Sequence, residues 1–232
     1  MPSLDSYLTA PFKQKNYIET MFPQDHDSRT GICFGLCGEW MARHKSHKGE
    51  SAQDRIDYVG SWSTIMHANI KQRLYEAENW HMAQTVGFPY VMDKKWLPQS
   101  EVKTIALNEN NMRITKSKMK RMDADNARSV SQAVSFIKTA SNSSHQYTMI
   151  GFTLVGGGAH ATCGYKSGGK VLGVGSHFYY FEPNFGEFKV STGNMENLFK
   201  ALIAAYRSRK NAEGEIVDRK IKSFFVQIID FI

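Results

Sequence analysis

The sequence predicts an α+β fold in which helices come first and an antiparallel sheet follows. Helical spacing of apolar residues dominates between Cys33 and Trp80, and a nearly continuous apolar run covers Thr148 to Val155. Glycine-punctuated strand-like segments fill most of the rest of the C-terminal third. At 232 residues with 41% hydrophobic content, the chain can bury one substantial core, so a single domain over residues 1–232 is expected.

The elements follow in order. Residues 1–23 mix Asp5, Lys13, Lys15 and Glu19 with scattered aromatics, and are expected to be a poorly ordered leader, a secretion signal or a propeptide. After Cys33, Gly35 and Gly38 lower helix propensity. Phe34, Cys37, Trp40 and Met41 nevertheless fall at i, i+3, i+6 and i+7, the stripe of a buried central helix. Between Ala52 and Trp80, Ile56, Val59, Ile65, Met66, Ile70 and Leu74 indicate one long or two short amphipathic helices, ended by Gly87, Pro89 and Pro98. Thr104 to Met122 alternates weakly and becomes basic at Lys116, Lys118, Lys120 and Arg121, as a solvated edge strand does.

Asp125 or Asn126 can cap a helix holding Val130, Ala133, Val134 and Ile137. Strands are then expected at Thr148 to Val155, Ala159 to Tyr165, Val171 to Phe181 and Glu187 to Val190, with a turn at Gly168-Gly169. Met195, Leu198, Phe199, Leu202, Ile203 and Tyr206 keep helical spacing, and Lys220 to Ile232 closes as an apolar strand.

Lys and Arg outnumber Asp and Glu by 29 to 22, a net charge of +7, which favours anionic partners through long-range attraction. No recognised helical, zinc or aromatic ribonucleoprotein signature accompanies the charge, so nucleic acid is not expected as a partner. Three cysteines are too few, and odd in number, for a disulfide framework. No stretch approaches the roughly 18 apolar residues of a membrane span, and no basic start with an apolar run marks a Sec-type signal.

Two distant segments carry chemistry. Cys33 lies in Gly31-Ile32-Cys33-Phe34-Gly35 at a turn into a helix, where unpaired N–H groups and aligned dipoles favour the thiolate. The small flanking residues let a carbonyl approach the Cys33 N–H as one oxyanion donor. Cys37, one turn further on, joins the buried stripe. Cys33, Cys37, His44 and His47 fit no common zinc spacing, and neither metal nor cofactor is expected.

His160 follows Gly156-Gly157-Gly158 and opens a strand, suited to serve as the base for a thiol. A base of this kind needs a third group to fix its tautomer, and Phe181-Glu182-Pro183-Asn184 offers Glu182 or Asn184.

The motifs Gly-x-Cys-x-Gly-Leu with Trp40 in the same helix, His160-Ala161, and Phe181-Glu182-Pro183-Asn184-Phe185-Gly186-Glu187-Phe188 resemble the YopT/AvrPphB family of secreted bacterial cysteine proteases. That resemblance spans roughly residues 25–45 and 148–190. It implies a papain-like fold with the nucleophile helix packed on the sheet, Cys33 as nucleophile, His160 as base and Glu182 as orienter. The family has Asp where Glu182 stands, so Asn184 stays open as the third member. The second oxyanion donor is expected just before the nucleophile, with Gln24 as candidate and Asp27 and Arg29 as alternatives.

The expected substrate is a protein, cut inside a host cell by an effector delivered without a Sec signal. A peptidoglycan peptide, with an immunity or chaperone protein as partner, is the rival reading. A transglutaminase or deamidase on the same dyad and a basic binding module complete the alternatives.

Overall fold

The structure, a computed structural model, describes residues 3–24, 31–86, 106–144, 146–155, 157–169, 175–207 and 220–232. It is α+β, as expected, and every strand pairing is antiparallel. The strands are β1 (Leu8–Pro11), β2 (Met112–Arg121), β3 (Gln146–Leu154), β4 (Ala159–Lys166), β5 (His177–Glu182), β6 (Gly186–Ser191) and β7 (Ile221–Phe231). They form one sheet in the order β1-β6-β5-β4-β3-β7-β2. The helices are α1 (Gln14–Met21), α2 (Cys33–Ser46), α3 (Ala52–Val59), α4 (Trp62–Val86), α5 (Ala127–Ala140) and α6 (Met195–Arg207).

Helices cover both faces of the sheet, which explains why its strands read as apolar runs. On β3, Tyr147 and Met149 join the cluster around α2, α3 and α4, while Ile150 and Phe152 point into the cluster around α5 and α6. The alternation on β5 is the same, with Phe181 towards α2 and Phe178 and Tyr180 towards α6. The basic segment is the edge strand β2, paired on one side with β7. Asn126 is the α5 cap, its side chain accepting from Arg128 N and Ser129 N at 3.0 and 3.2 Å.

Residues 4–21, within the expected leader, are built into the fold. β1 pairs with β6, Ala10 and Phe12 are buried, and Gln14 N–H donates to Pro183 O at 2.8 Å. The physical reason is the outer edge of β6, whose backbone groups β1 satisfies. The expected strand over 171–181 is described only from His177, since 170–174 lie outside the described residues, as do Gly87, Pro89 and Pro98.

α2 is buried from Cys33 to Met41 between the sheet and α4. The close crossing of α2 and α4 requires Gly35, because a Cβ there would lie 1.9 Å from the Ala68 carbonyl oxygen. Gly35→Ala forces the two helices apart and should cost about 2 kcal/mol or more. Urea unfolding of the two proteins side by side measures this, and equal midpoints would contradict the packing account.

Candidate active site

The chain enters α2 through Gly31, whose φ of +113° a side chain would strain. This turn puts Cys33 at the first residue of the helix. The first backbone bond of the helix runs from Leu36 N to Ile32 O at 3.0 Å, so the N–H groups of Cys33, Phe34 and Gly35 have no intrahelical acceptor. Two glutamines cap this end. Gln14 Oε1 accepts from Ile32 N at 3.1 Å, and Gln72 Oε1 accepts from Phe34 N at 3.0 Å. The Cys33 N–H lies between these two capped positions.

Across from it, β4 brings Ala161 N–H to 3.4 Å from Cys33 Sγ, and His160 precedes that amide. The Cys33 thiol and the His160 ring are close enough for their charges to act on each other. His160 Nε2 makes a short contact to Glu182 Oε1, leaving the other ring nitrogen for the thiol. Glu182 is fully buried. It accepts from Asn184 N at 2.9 Å and from the Tyr206 hydroxyl at 2.9 Å. Asn184 Nδ2 sits 3.3 Å from His160 Nε2 and donates to Tyr206 Oη at 2.9 Å, while its Oδ1 accepts from Gln14 Nε2 at 2.9 Å.

The electrostatics follow from this geometry. Burial pushes the Cys33 thiol up, but the His160 charge and the Ala161 N–H together bring it below the ordinary thiol value. Burial alone pulls His160 down; the charges of Glu182 and Cys33 overcome it and raise its pKa to about 10. The other two thiols behave oppositely. Burial raises Cys37, reinforced by Cys163, and burial raises Cys163. Cys163 Sγ instead donates to the Cys37 carbonyl at 3.6 Å. His44, the third member of the zinc spacing, bonds the Tyr147 hydroxyl through Nδ1 at 2.8 Å.

Cys33, His160, Glu182 and Asn184 are thus brought together, with Glu182 taking the ring nitrogen and Asn184 bracing both. Gln24 is not. It is exposed in the turn after α1, and the glutamine beside Cys33 at the start of α2 is Gln14, because β1 docks on β6 and carries the start of α1 there. Asp27, Arg29 and Gly156 lie outside the described residues. Gln14, Gln72 and the Tyr206 hydroxyl do not stand out in the sequence, where Tyr206 falls within an apolar stripe. The residue types carried a weak signal, since buried amides on helices that bear apolar stripes need partners.

A thiol at a helix N-terminus, facing an imidazole backed by a buried carboxylate on an antiparallel sheet, is an arrangement that cysteine peptidases use. The chain belongs to the Peptidase_C58 family, described as Yersinia/Haemophilus virulence surface antigen, which matches residues 9–220. Among solved structures it is similar to the Pseudomonas avirulence protein AvrPphB, at 17% identity over 98% of this chain and 100% of that one, with a TM-score of 0.68. A weaker likeness, with a TM-score of 0.39 and 10% identity over 95% of this chain and 53% of the other, is to PatoxP, a cysteine protease-like domain of Photorhabdus asymbiotica toxin PaTox. No curated protein matches the sequence.

Two outcomes are expected. Iodoacetamide at pH 6 should label Cys33 well ahead of Cys37 and Cys163, and His160→Ala should slow it by about tenfold for each unit the thiol pKa rises. The charged ring contributes stability that is complete below pH 6.5 and is lost as pH rises through about 10. The Cys33 thiol, held below its ordinary value of 9.0, works with the opposite sign up to that value, so the net fall in wild-type unfolding free energy should come between about pH 9 and 10 and be absent in His160→Ala.

Tyr206→Phe removes one donor from a buried carboxylate and should cost about 1–2 kcal/mol in denaturant unfolding. Burial, then the Glu182 charge, hold the Tyr206 phenol protonated well above its usual range, so the hydroxyl remains a donor throughout.

Proposed function

We propose that this peptidase is a bacterial effector that hydrolyses a peptide bond in a host-cell protein through Cys33, His160 and Glu182. The observation that carries the reading is the Cys33 thiol at the start of α2, facing an imidazole that Glu182 holds from behind. Membership of a family described by a virulence antigen supports the effector setting.

In this mechanism the Cys33 thiolate attacks the scissile carbonyl. The developing oxyanion is held by the Cys33 N–H and by Gln14 Nε2, whose amide is pinned by Ile32 N–H and Asn184 Oδ1. His160 passes its proton to the leaving amine, and the neutral ring then activates water against the thioester. Glu182 keeps the ring oriented and stabilises its charge, and Asn184 and Tyr206 keep Glu182 in place. The extra methylene relative to an aspartate is accommodated at the end of β5, where Glu182 pairs with Gly186 and Asn184 N–H reaches back to its Oε2.

The test is incubation of the full chain with a eukaryotic cell lysate, followed by identification of new protein N-termini. Cys33→Ala should abolish them, and Gln14→Ala should lower kcat on the strongest cleavage site by about 100-fold or more with little change in KM. Ammonia release without new N-termini would replace the protease reading by deamidation. Soluble muropeptides from purified sacculi, with an inert lysate, would replace it by peptidoglycan hydrolysis.

A further inference from the structure

At the other end of α2, roughly 16 Å along the helix from Cys33, lies a cavity of about 470 Å³ that no member of the catalytic cluster lines. Its volume falls within the range of small-molecule sites. Polar groups converge there that the peptidase chemistry does not use. Arg55 and Glu187, both nearly inaccessible to solvent, pair through Arg55 Nη2 and Glu187 Oε1 at 2.7 Å. Trp40 Nε1 donates to the same carboxylate at 2.7 Å. His44 and Tyr147 are also buried. A buried ion pair beside a buried imidazole is costly to maintain for packing alone.

The lining holds aromatic and charged side chains together. Tyr165 lies 4.6 Å from Tyr147 and 6.2 Å from Tyr179, centroid to centroid. Glu187 is saturated by Arg55 and Trp40, and Glu50 by Arg43, so neither carboxylate is left to attract a cation. Lys48 and Lys189 have no carboxylate partner among the described residues. Lys189 Nζ stands 5.4 Å from the Tyr179 ring centroid. Lys48 is near enough for its charge, after burial and Arg55, to help hold His44 neutral. The carbonyls at the end of α2 are occupied, Arg43 O by His47 N at 2.9 Å and Ala42 O by Ser46 Oγ at 2.9 Å.

We propose that this cavity binds a small aromatic monophosphate, its ring against Tyr165 and Tyr179 and its phosphate between Lys48 and Lys189. A flat ring matches the tyrosines. Two separate ammonium groups suit a compact dianion better than a single charge. The ring could be the base of a nucleotide or the phenyl group of phosphotyrosine; both present the same chemistry to the site.

The test is calorimetric titration of the full chain, with Cys33 alkylated by iodoacetamide so that nothing is read from it. The probes are phenyl phosphate, AMP, inorganic phosphate and benzylamine. Saturable binding of phenyl phosphate or AMP is expected, at least about tenfold tighter than inorganic phosphate, with none by benzylamine. The stronger of the two aromatic phosphates identifies the source.

The double variant Lys48→Glu/Lys189→Glu changes two exposed side chains, and should lose at least about tenfold in affinity while keeping the wild-type melting temperature. Failure of both aromatic phosphates to saturate, equal binding of inorganic phosphate, or affinity unchanged in the double variant overturns the proposal. Because the readout is binding to a blocked enzyme, its failure leaves the reading of Cys33 untouched, and the reverse holds as well.

Discussion

The Glu182 carboxylate, fully buried at the end of β5, constrains the rest of the molecule. A charge in that position persists only where every side of it meets a donor or a cation. Here those come from three separate places in the chain: His160 on β4, the Asn184 amide in the turn after β5, and the Tyr206 hydroxyl on α6. Satisfying Glu182 therefore fixes how α6 lies across the sheet and how the β5–β6 turn is closed. It also holds the imidazole charged against a thiol that burial alone would keep protonated. The proposed catalytic pair and the packing of the far helix layer are two results of one buried charge.

The two helix layers have different duties. The α5 and α6 layer is held mainly by apolar burial, with Tyr206 its polar reach into the site. The α2 layer must do something harder, since it holds a helix carrying two glycines flat against strands and a neighbouring helix. Gly35 permits the approach of α4, and that approach puts Gln72 onto Phe34 N–H. Capping by glutamines from other elements, rather than by a local Ser, Thr or Asp, leaves the first residue of α2 free for the proposed nucleophile.

Much of this was legible in sequence because it is local. The stripe of Phe34, Cys37, Trp40 and Met41 announced a buried helix, and strands covered on both faces announced themselves as apolar runs. His160 and the Glu182-Pro183-Asn184 segment stood out because glycine and proline punctuate chain direction around them. What stayed hidden depends on long-range register. β1 has four residues and no readable period; its place is dictated by the free edge of β6, and only that docking moves Gln14 to Cys33 in preference to Gln24. Tyr206 looked apolar because its ring is, and periodicity cannot show where a hydroxyl ends.

β7 is the last of the described strands, yet it occupies an interior place in the sheet, between β3 and β2. β1, the first, waits for β6. During synthesis, then, the donors around Glu182 are not all present until Tyr206 has emerged, and the sheet beside His160 is not filled in until β7 has followed. Contacts of such sequence separation are slow to close. A partly made chain carries Cys33 from early on without the strands and the carboxylate that face it, so the proposed site is assembled only once residues of β7 have been made.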